Sequence, residues 1–287
     1  MRIGLGLPNA VVDVGEGGIL VEIARRAEEL GFASLATIGR VAYPNYEELV
    51  VLAAAAGATR RIGLQTDILL GPTREPVLLA KQAASLDQLS TGRFVLGVGV
   101  GGREDDFTIT GMGFHDRGRR WDRNLELIHR AWRGEPLEGT DRPVTPRPVN
   151  GESVPLMFGG GAEQMIDRLV KYGVGYTQGG GTPEALTKMK ARVDAAWQQA
   201  GRQGRPEYRA LTYFALGEDA HGRAEHSLRD YYGAYGDRVW AGTAKEAAQV
   251  RERIQAYEAV GCDELVLFMA APAIAQAERL AEAATIR

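Results

Sequence analysis

One cysteine, Cys262, stands in 287 residues, so no internal disulfide framework can form. The four histidines, His115, His129, His221 and His226, show no ligand spacing with it or with one another, and no structural metal is expected. No segment approaches the ~20 apolar residues that span a bilayer. The N-terminal stretch MRIGLGLPNAVVDVGEGG has no basic region followed by a long apolar run, so the cytoplasm is the expected address and no membrane partner is expected. Charge of one sign is missing too. Lys and Arg total 34 against 37 Asp and Glu, a net charge of -3, mixed along the whole length, which removes the basic stripe that nucleic acid would require. With 45% hydrophobic and 25% charged residues, the chain can fill one large domain or two small ones.

What is present is an alternation of short apolar runs with helical patterns. RIGLGLP (2 to 8) reads as a period-2 strand, and Ile19, Ile23, Ala27 and Leu30 then recur at helical spacing with Arg25, Arg26, Glu28 and Glu29 on the other face. The unit repeats as ASLATI with a helix near 46 to 58, RIGLQTDILL with one near 75 to 89, and RFVLGVGV with one near 118 to 133. After the irregular GEPLEGTDRPVTPRPVNGES come VPLMFG with a helix near 162 to 172, and VGYTQ with a helix from about 183 to 200. YRALTYFAL with helices after it and DELVLF with a final helix from 273 complete the series. Eight β-α units over residues 1 to 287 predict a single (β/α)8 TIM barrel, with insertions near 102 to 117, 134 to 153 and 219 to 242. A doubly wound sheet is the alternative. In a barrel the site lies at the C-terminal ends of the strands, which names the loops to search.

GRFVLGVGVGGREDDF contains Gly97-x-Gly99-x-x-Gly102, the spelling of a dinucleotide fingerprint. The context does not fit: no helical apolar period comes after it, and the acid at the right distance, Asp122, falls inside a predicted helix. Phe94, Leu96, Val98 and Val100 alternate with Val95, Gly97, Gly99 and Gly101, so the glycines lie on one face of a strand. Such a face admits either a flat ligand or close packing inside a crowded barrel. Gly159, Gly160 and Gly161 in FGGGAEQMIDRL, and Gly179, Gly180, Gly181 and Thr182 in TQGGGTPEALTKM, each stand between a strand and a helix. Exposed backbone N-H groups at the positive end of a helix suit a phosphate or carboxylate.

PTREPVLLAKQAASLDQLSTGRFVLGVGVGGREDDF, FHDRGRRWDRNLELIHRAW, PLMFGGGAEQMIDRL and GTAKEAAQVRERIQAYEAVGCDELVL are similar to segments of the bacterial luciferase-like monooxygenase superfamily, over nearly the whole chain. The resemblance implies a barrel that uses reduced FMN or the deazaflavin F-420. The ring is expected across the barrel mouth near strands three and four, touching Thr66, Asp67 and Ile68 and the bare face of Gly97 and Gly99. The phosphate is expected at Gly159, Gly160, Gly161 and Ala162, with Gly179 and Gly180 beside it. The family often bulges strand three at a non-proline cis peptide, which here would be Asp67-Ile68. Asp67, a carboxylate among Ile68, Leu69 and Leu70, is a candidate catalytic group.

The sequence departs from the family after strand two. Where relatives commonly carry an acid and a histidine, it has Gly39 and Arg40. Arg40 cannot act as a base at neutral pH, but it can hold an anion, stabilise developing negative charge, or pair with Glu47. The luciferases proper place an arginine at the position of Val100, and its absence resembles the deazaflavin branch more closely, favouring F-420. Tyr43, Arg103, Glu104 and His115 are candidate substrate contacts, with Tyr46 and Arg117 as further polar candidates, and His129 reads as structural. The resemblance also implies a homodimer and a small organic substrate. The expected function is an oxidoreductase, either F-420-dependent hydride transfer or reduced-FMN monooxygenation. A non-catalytic flavin-binding protein, or a flavin-independent barrel enzyme for a phosphorylated metabolite, are the alternatives.

Overall fold

A computed structural model describes residues 1 to 12 and 14 to 286. The first half contains β1 (Arg2–Gly6), α1 (Gly18–Leu30), β2 (Ser34–Thr37), α2 (Glu48–Ala58), β3 (Gly63–Thr66), β4 (Leu69–Leu70), α3 (Pro76–Leu89) and β5 (Phe94–Gly99). It continues through α4 (Glu104–Ile109) and α5 (Arg117–Trp132) to β6 (Leu156–Gly159), α6 (Glu163–Tyr172), β7 (Gly175–Gln178), α7 (Pro183–Gln199) and β8 (Glu207–Phe214). The remainder is α8 (Glu218–Tyr232), α9 (Gly236–Ala241), α10 (Ala247–Ala259), β9 (Glu264–Met269) and α11 (Ile274–Ala283).

Every named strand pairs in parallel with its neighbours, in the order β3-β2-β1-β9-β8-β7-β6-β5-β4, and the ring closes where β3 pairs with β5. β3 and β4 are two pieces of one stave, so nine segments make the eight-stave (β/α)8 barrel. Leu64 lies opposite Phe94 and Leu69 opposite Val98, and between them the stave bulges at Asp67-Ile68, whose peptide bond is cis.

Alternation along the strands sorts the side chains. Leu5, Leu35, Leu64 and Leu96 point outward and pack with Ile23, Leu52, Leu79 and Leu125 of the surrounding helices in the main core. Ala36, Leu211, Val266 and Phe268 form a smaller cluster inside the barrel. Below it the interior is polar: Gln65 Nε2 donates to Ser34 Oγ at 3.0 Å and to Glu264 Oε1 at 3.1 Å, and Arg209 lies 3.7 Å from Glu264. These buried groups close the N-terminal end of the barrel with mutually satisfied charges, as burial of ions requires.

Local chemistry sets the helix starts. Glu75 accepts from the backbone of Val77 and Leu78 ahead of Pro76 at the first turn of α3, and Glu47 accepts from Val50 N at 2.7 Å to begin α2. One expectation needs correction. Residues 104 to 109, expected to be irregular, form α4, whose six residues are too few to display an apolar period. The segment 219 to 242, which lies among the helices expected after YRALTYFAL, is mostly the helices α8 and α9.

Candidate active site at the barrel mouth

The C-terminal ends of the strands surround an elongated cleft in two lobes. One lobe, about 360 Å³, is bounded by Ile38, Arg40, Leu70, Arg103, Leu211 and Tyr232. The other, about 310 Å³, is bounded by Gly159, Gly160, Gly161, Tyr176 and Thr177. Asp67, Ile68 and Gly179 line both, so the bulge of the third stave forms the saddle between them.

Asp67 sits on that saddle and is 3% exposed. Its Oδ1 accepts from the Thr177 hydroxyl at 2.7 Å, whereas Oδ2 has no hydrogen-bond partner among the described residues. Burial pushes the carboxyl up to about 7, and Glu264 adds to the rise; the Thr177 hydrogen bond and Arg209 oppose it. At neutral pH, Asp67 is therefore able to hold or release a proton at an oxygen on the wall of the cleft.

Arg40 also lines the cleft, and of the three possibilities open to it the pairing with Glu47 is not the one formed. Its guanidinium lies 2.7 Å from Asp105 and 2.9 Å from Asp106, while Glu47 pairs with Arg74 at 2.7 Å. The 2.8 Å bonds from Val41 N and Ala42 N to Asp106 Oδ1 show the reason: α4 folds its acidic first turn against the loop after β2. With two carboxylates beside it, Arg40 brings no net positive charge to the cleft and shapes the loop instead.

The other candidates divide. Arg103 lines the first lobe, donates to the Tyr231 carbonyl at 2.7 Å and lies over the Tyr231 ring at 4.8 Å. Tyr43 stands just outside, donating to Asp230 at 2.6 Å, which ties the loop after β2 to α8. Glu104 and His115 are exposed and border neither lobe. This corrects their expected place: Glu104 is turned to solvent on the first turn of α4, and the His115 ring rests against Phe114. Tyr46 bonds the Gly15 carbonyl, Arg117 anchors Gly101 and Phe114 through their carbonyls, and His129 donates from Nδ1 to Leu125 O within α5. All three bond backbone carbonyls and border neither lobe.

Gly97 and Gly99 need a similar correction. A Cβ on Gly97 would lie 2.0 Å from the Thr66 carbonyl, and one on Gly99 would lie 2.1 Å from Ile68 Cδ1. Their bare face is filled by the bulge, so they make room for Ile68 and border neither lobe. The Thr66 hydroxyl is likewise spent on the Gly97 carbonyl at 2.7 Å and lines neither lobe. Gly160 is in the left-handed region at φ +123, and beside Gly161 there is open space. Ala162 caps α6 without a side-chain hydrogen bond, directly after Gly161 of the second lobe, so the start of the helix has no side-chain acceptor. By contrast, Thr182 caps α7 by accepting from Ala185, so the loop of Gly179 and Gly180 offers a wall but a less available helix end.

Sequence reasoning missed Asp106, Thr177, Tyr231 and Tyr232. Thr177 is near the end of a barrel strand and was findable by that rule. The two tyrosines end a helix within a segment expected to be an insertion. No group of His, Cys, Asp and Glu among the described residues is arranged to hold a metal, and no helix there is long and apolar enough to cross a membrane.

Residues 1 to 265 match the family profile described as luciferase-like monooxygenase. The chain belongs to this family. It is thus an oxidoreductase of the luciferase-like class. An uncharacterised protein of Mycobacterium tuberculosis is 31% identical, the match covering 63% of this chain and 72% of the relative. The 4-hydroxyprotoasukamycin monooxygenase of Streptomyces nodosus subsp. asukaensis is 27% identical, over 77% of this luciferase-like chain and 64% of the relative. Among solved structures, the monooxygenase RslO1 from Streptomyces bottropensis superposes with a TM-score of 0.80 at 23% identity, covering 100% of this chain and 97% of that one. An F420-dependent secondary alcohol dehydrogenase gives 0.82 at 18%, covering 100% and 99%. These two likenesses establish the shared barrel.

Proposed function

We propose that this luciferase-like oxidoreductase binds a flavin-type cofactor across the saddle at Asp67-Ile68 and turns over a small organic molecule in the first lobe. The observation that carries the reading is Asp67: a buried carboxyl with one unpartnered oxygen, placed where both lobes meet. A buried polar atom without a partner is costly, and a ring nitrogen or carbonyl at the saddle would supply the missing bond.

The residues present fit such a group. Ile68 gives an apolar seat, Gly159 to Gly161 with the uncapped start of α6 give backbone donors for a phosphate, and no side chain of that loop crowds it. When bound, the cofactor supplies the hydride or the oxygen-activating electron pair. The chain's own residues seat it, exclude water with Ile38, Leu70 and Leu211, and hold a proton at Asp67.

F-420 is favoured over FMN. The nearest guanidinium on α7, Arg192, is already paired with Glu163 of the α6 first turn, so the loop relies on backbone donors. That suits a singly charged phosphodiester better than a phosphomonoester dianion, and the exposed rim at Gly160 and Gly161 leaves an exit for a long tail. The chain is further proposed to work as a homodimer through α2 and α3. There Val50, Leu78 and Leu89 are 67%, 54% and 72% exposed along a groove of about 530 Å³, an apolar face of the kind that marks contacts between chains.

Parallel titrations with F-420 and FMN test the cofactor reading, repeated with Gly161→Asp, a position with open space at its Cβ. F-420 is expected to bind more tightly, and the new carboxylate to weaken it at least tenfold by facing the phosphate. Failure of both cofactors to bind, or equal binding to the variant, overturns the reading.

A further inference from the structure

The first lobe contains an arrangement that the cofactor does not use. Arg103, on the loop between β5 and α4, lies with its guanidinium 4.8 Å from the Tyr231 ring centre and 5.9 Å from that of Tyr232. It makes one hydrogen bond, to the Tyr231 carbonyl, and no ion pair among the described residues. The neighbouring cation, Arg40, is held by two carboxylates. Among the described residues Arg103 is therefore the uncompensated positive charge of the lobe, and its ring contacts fix the plane of the fork and leave donor capacity unused.

Beside it, Tyr232 at the end of α8 borders the same lobe. Its hydroxyl oxygen lies 2.7 Å from that of Tyr213 on β8. Burial raises both hydroxyls above their ordinary value, and either can donate in this contact. With Tyr213 donating, Tyr232 has its own hydrogen to offer the cleft, backed by a donor that strengthens it. The other charged groups at this lobe are Asp67, whose value is near neutrality, and the Arg40-Asp106 pair. The remaining boundary is Ile38, Ile68, Leu70 and Leu211 with Gly39, Gly101, Gly102 and Gly179, a mainly apolar surround for one anionic oxygen.

We infer that Arg103 and Tyr232 form an oxyanion subsite, and that the substrate is a planar, mainly apolar molecule carrying a phenolic or enolisable carbonyl oxygen that docks there. The inference rests on the oxidoreductase reading for its consequence, since it states which substrate atom bears negative charge beside the cofactor. Its geometry stands without any cofactor. Two donors aimed at one developing charge in a surround with little water are worth far more than the same donors in water.

The probe is 2-naphthol, with 2-methoxynaphthalene as the analogue that cannot ionise, titrated against the whole protein while ultraviolet absorbance reads the ionised fraction. Bound 2-naphthol is expected to ionise at least one pH unit below its value in buffer. Arg103→Gln and Tyr232→Phe are each expected to abolish most of that shift and weaken 2-naphthol about tenfold or more. Both variants should leave 2-methoxynaphthalene binding and F-420 affinity unchanged, which also shows that they fold. No binding of 2-naphthol, binding without the ionisation shift, or a shift that survives both substitutions overturns the inference. Failure of the cofactor reading shows instead in the separate F-420 titration, with the naphthol shift intact.

Discussion

Replacing Asp67 by asparagine separates the proton-holding role of this residue from the cost of burying it. The carboxyl titrates at about 7 in the folded protein against an ordinary value of 3.8, so between about pH 4 and 7 the folded state keeps a proton that the unfolded chain has released. Stability therefore falls as pH rises through that window, and the loss is complete above it. Asp67→Asn is expected to match the parent near pH 4 and to exceed it by about 4 kcal/mol at pH 8 in urea unfolding. The inflection in kcat/KM near pH 7 should vanish in the variant. Equal stability of the two proteins at pH 8 would show that the carboxyl is solvated. The sequence made Asp67 legible because an acid among Ile68, Leu69 and Leu70 is out of place at a strand end. It misled at Arg40, whose partners lie 65 and 66 positions away while a nearer acid, Glu47, offered itself. Glu104 and His115 misled for a related reason: spacing reports proximity to a loop and says nothing of which way a side chain turns.

The β3-β4 stave and β5 act as one element. Gly97 and Gly99 permit the approach of the bulge, and a Cβ at Gly97 would collide with backbone, at 2.0 Å from the Thr66 carbonyl. Gly97→Ala is thus expected to destabilise by about 3 kcal/mol or more, with loss of cofactor binding as the bulge is displaced. Gly102→Ala, with nothing within 4 Å of its Cβ, should stay within about 0.5 kcal/mol by thermal unfolding. Comparable effects at the two positions would sink the account of the glycine face. Alternation and helical spacing placed all eight staves, because outward leucines and inward small residues repeat with the period of the strand. The same rule saw the bare face of β5 but could not say what covers it. The covering residue, Ile68, comes from another strand through a kink that periodicity does not encode. Tyr231 and Tyr232 escaped notice because α8 is too polar to advertise a buried face, and only its packing over the barrel mouth brings its last turn to the site.

At the scale of the whole molecule, the apolar groove between α2 and α3 sets the expected assembly. Leu78→Glu together with Leu89→Glu places charge on side chains that are 54% and 72% exposed, where the isolated chain loses little. The parent is expected to sediment as a dimer at micromolar concentration and the double variant as a monomer with an unchanged melting profile at low concentration. A monomeric parent would remove this face from the account. The polar floor of the barrel bears on traffic. Gln65, Ser34, Arg209 and Glu264 are buried and bonded to one another, so nothing passes through the axis, and the cleft is a well with a single mouth. Beside that mouth the Tyr43-Asp230 bond ties the loop after β2 to α8. On the proposed reading, a well with one opening implies a queue: a cofactor on the saddle is covered by the substrate that enters after it, and departure runs in the reverse order.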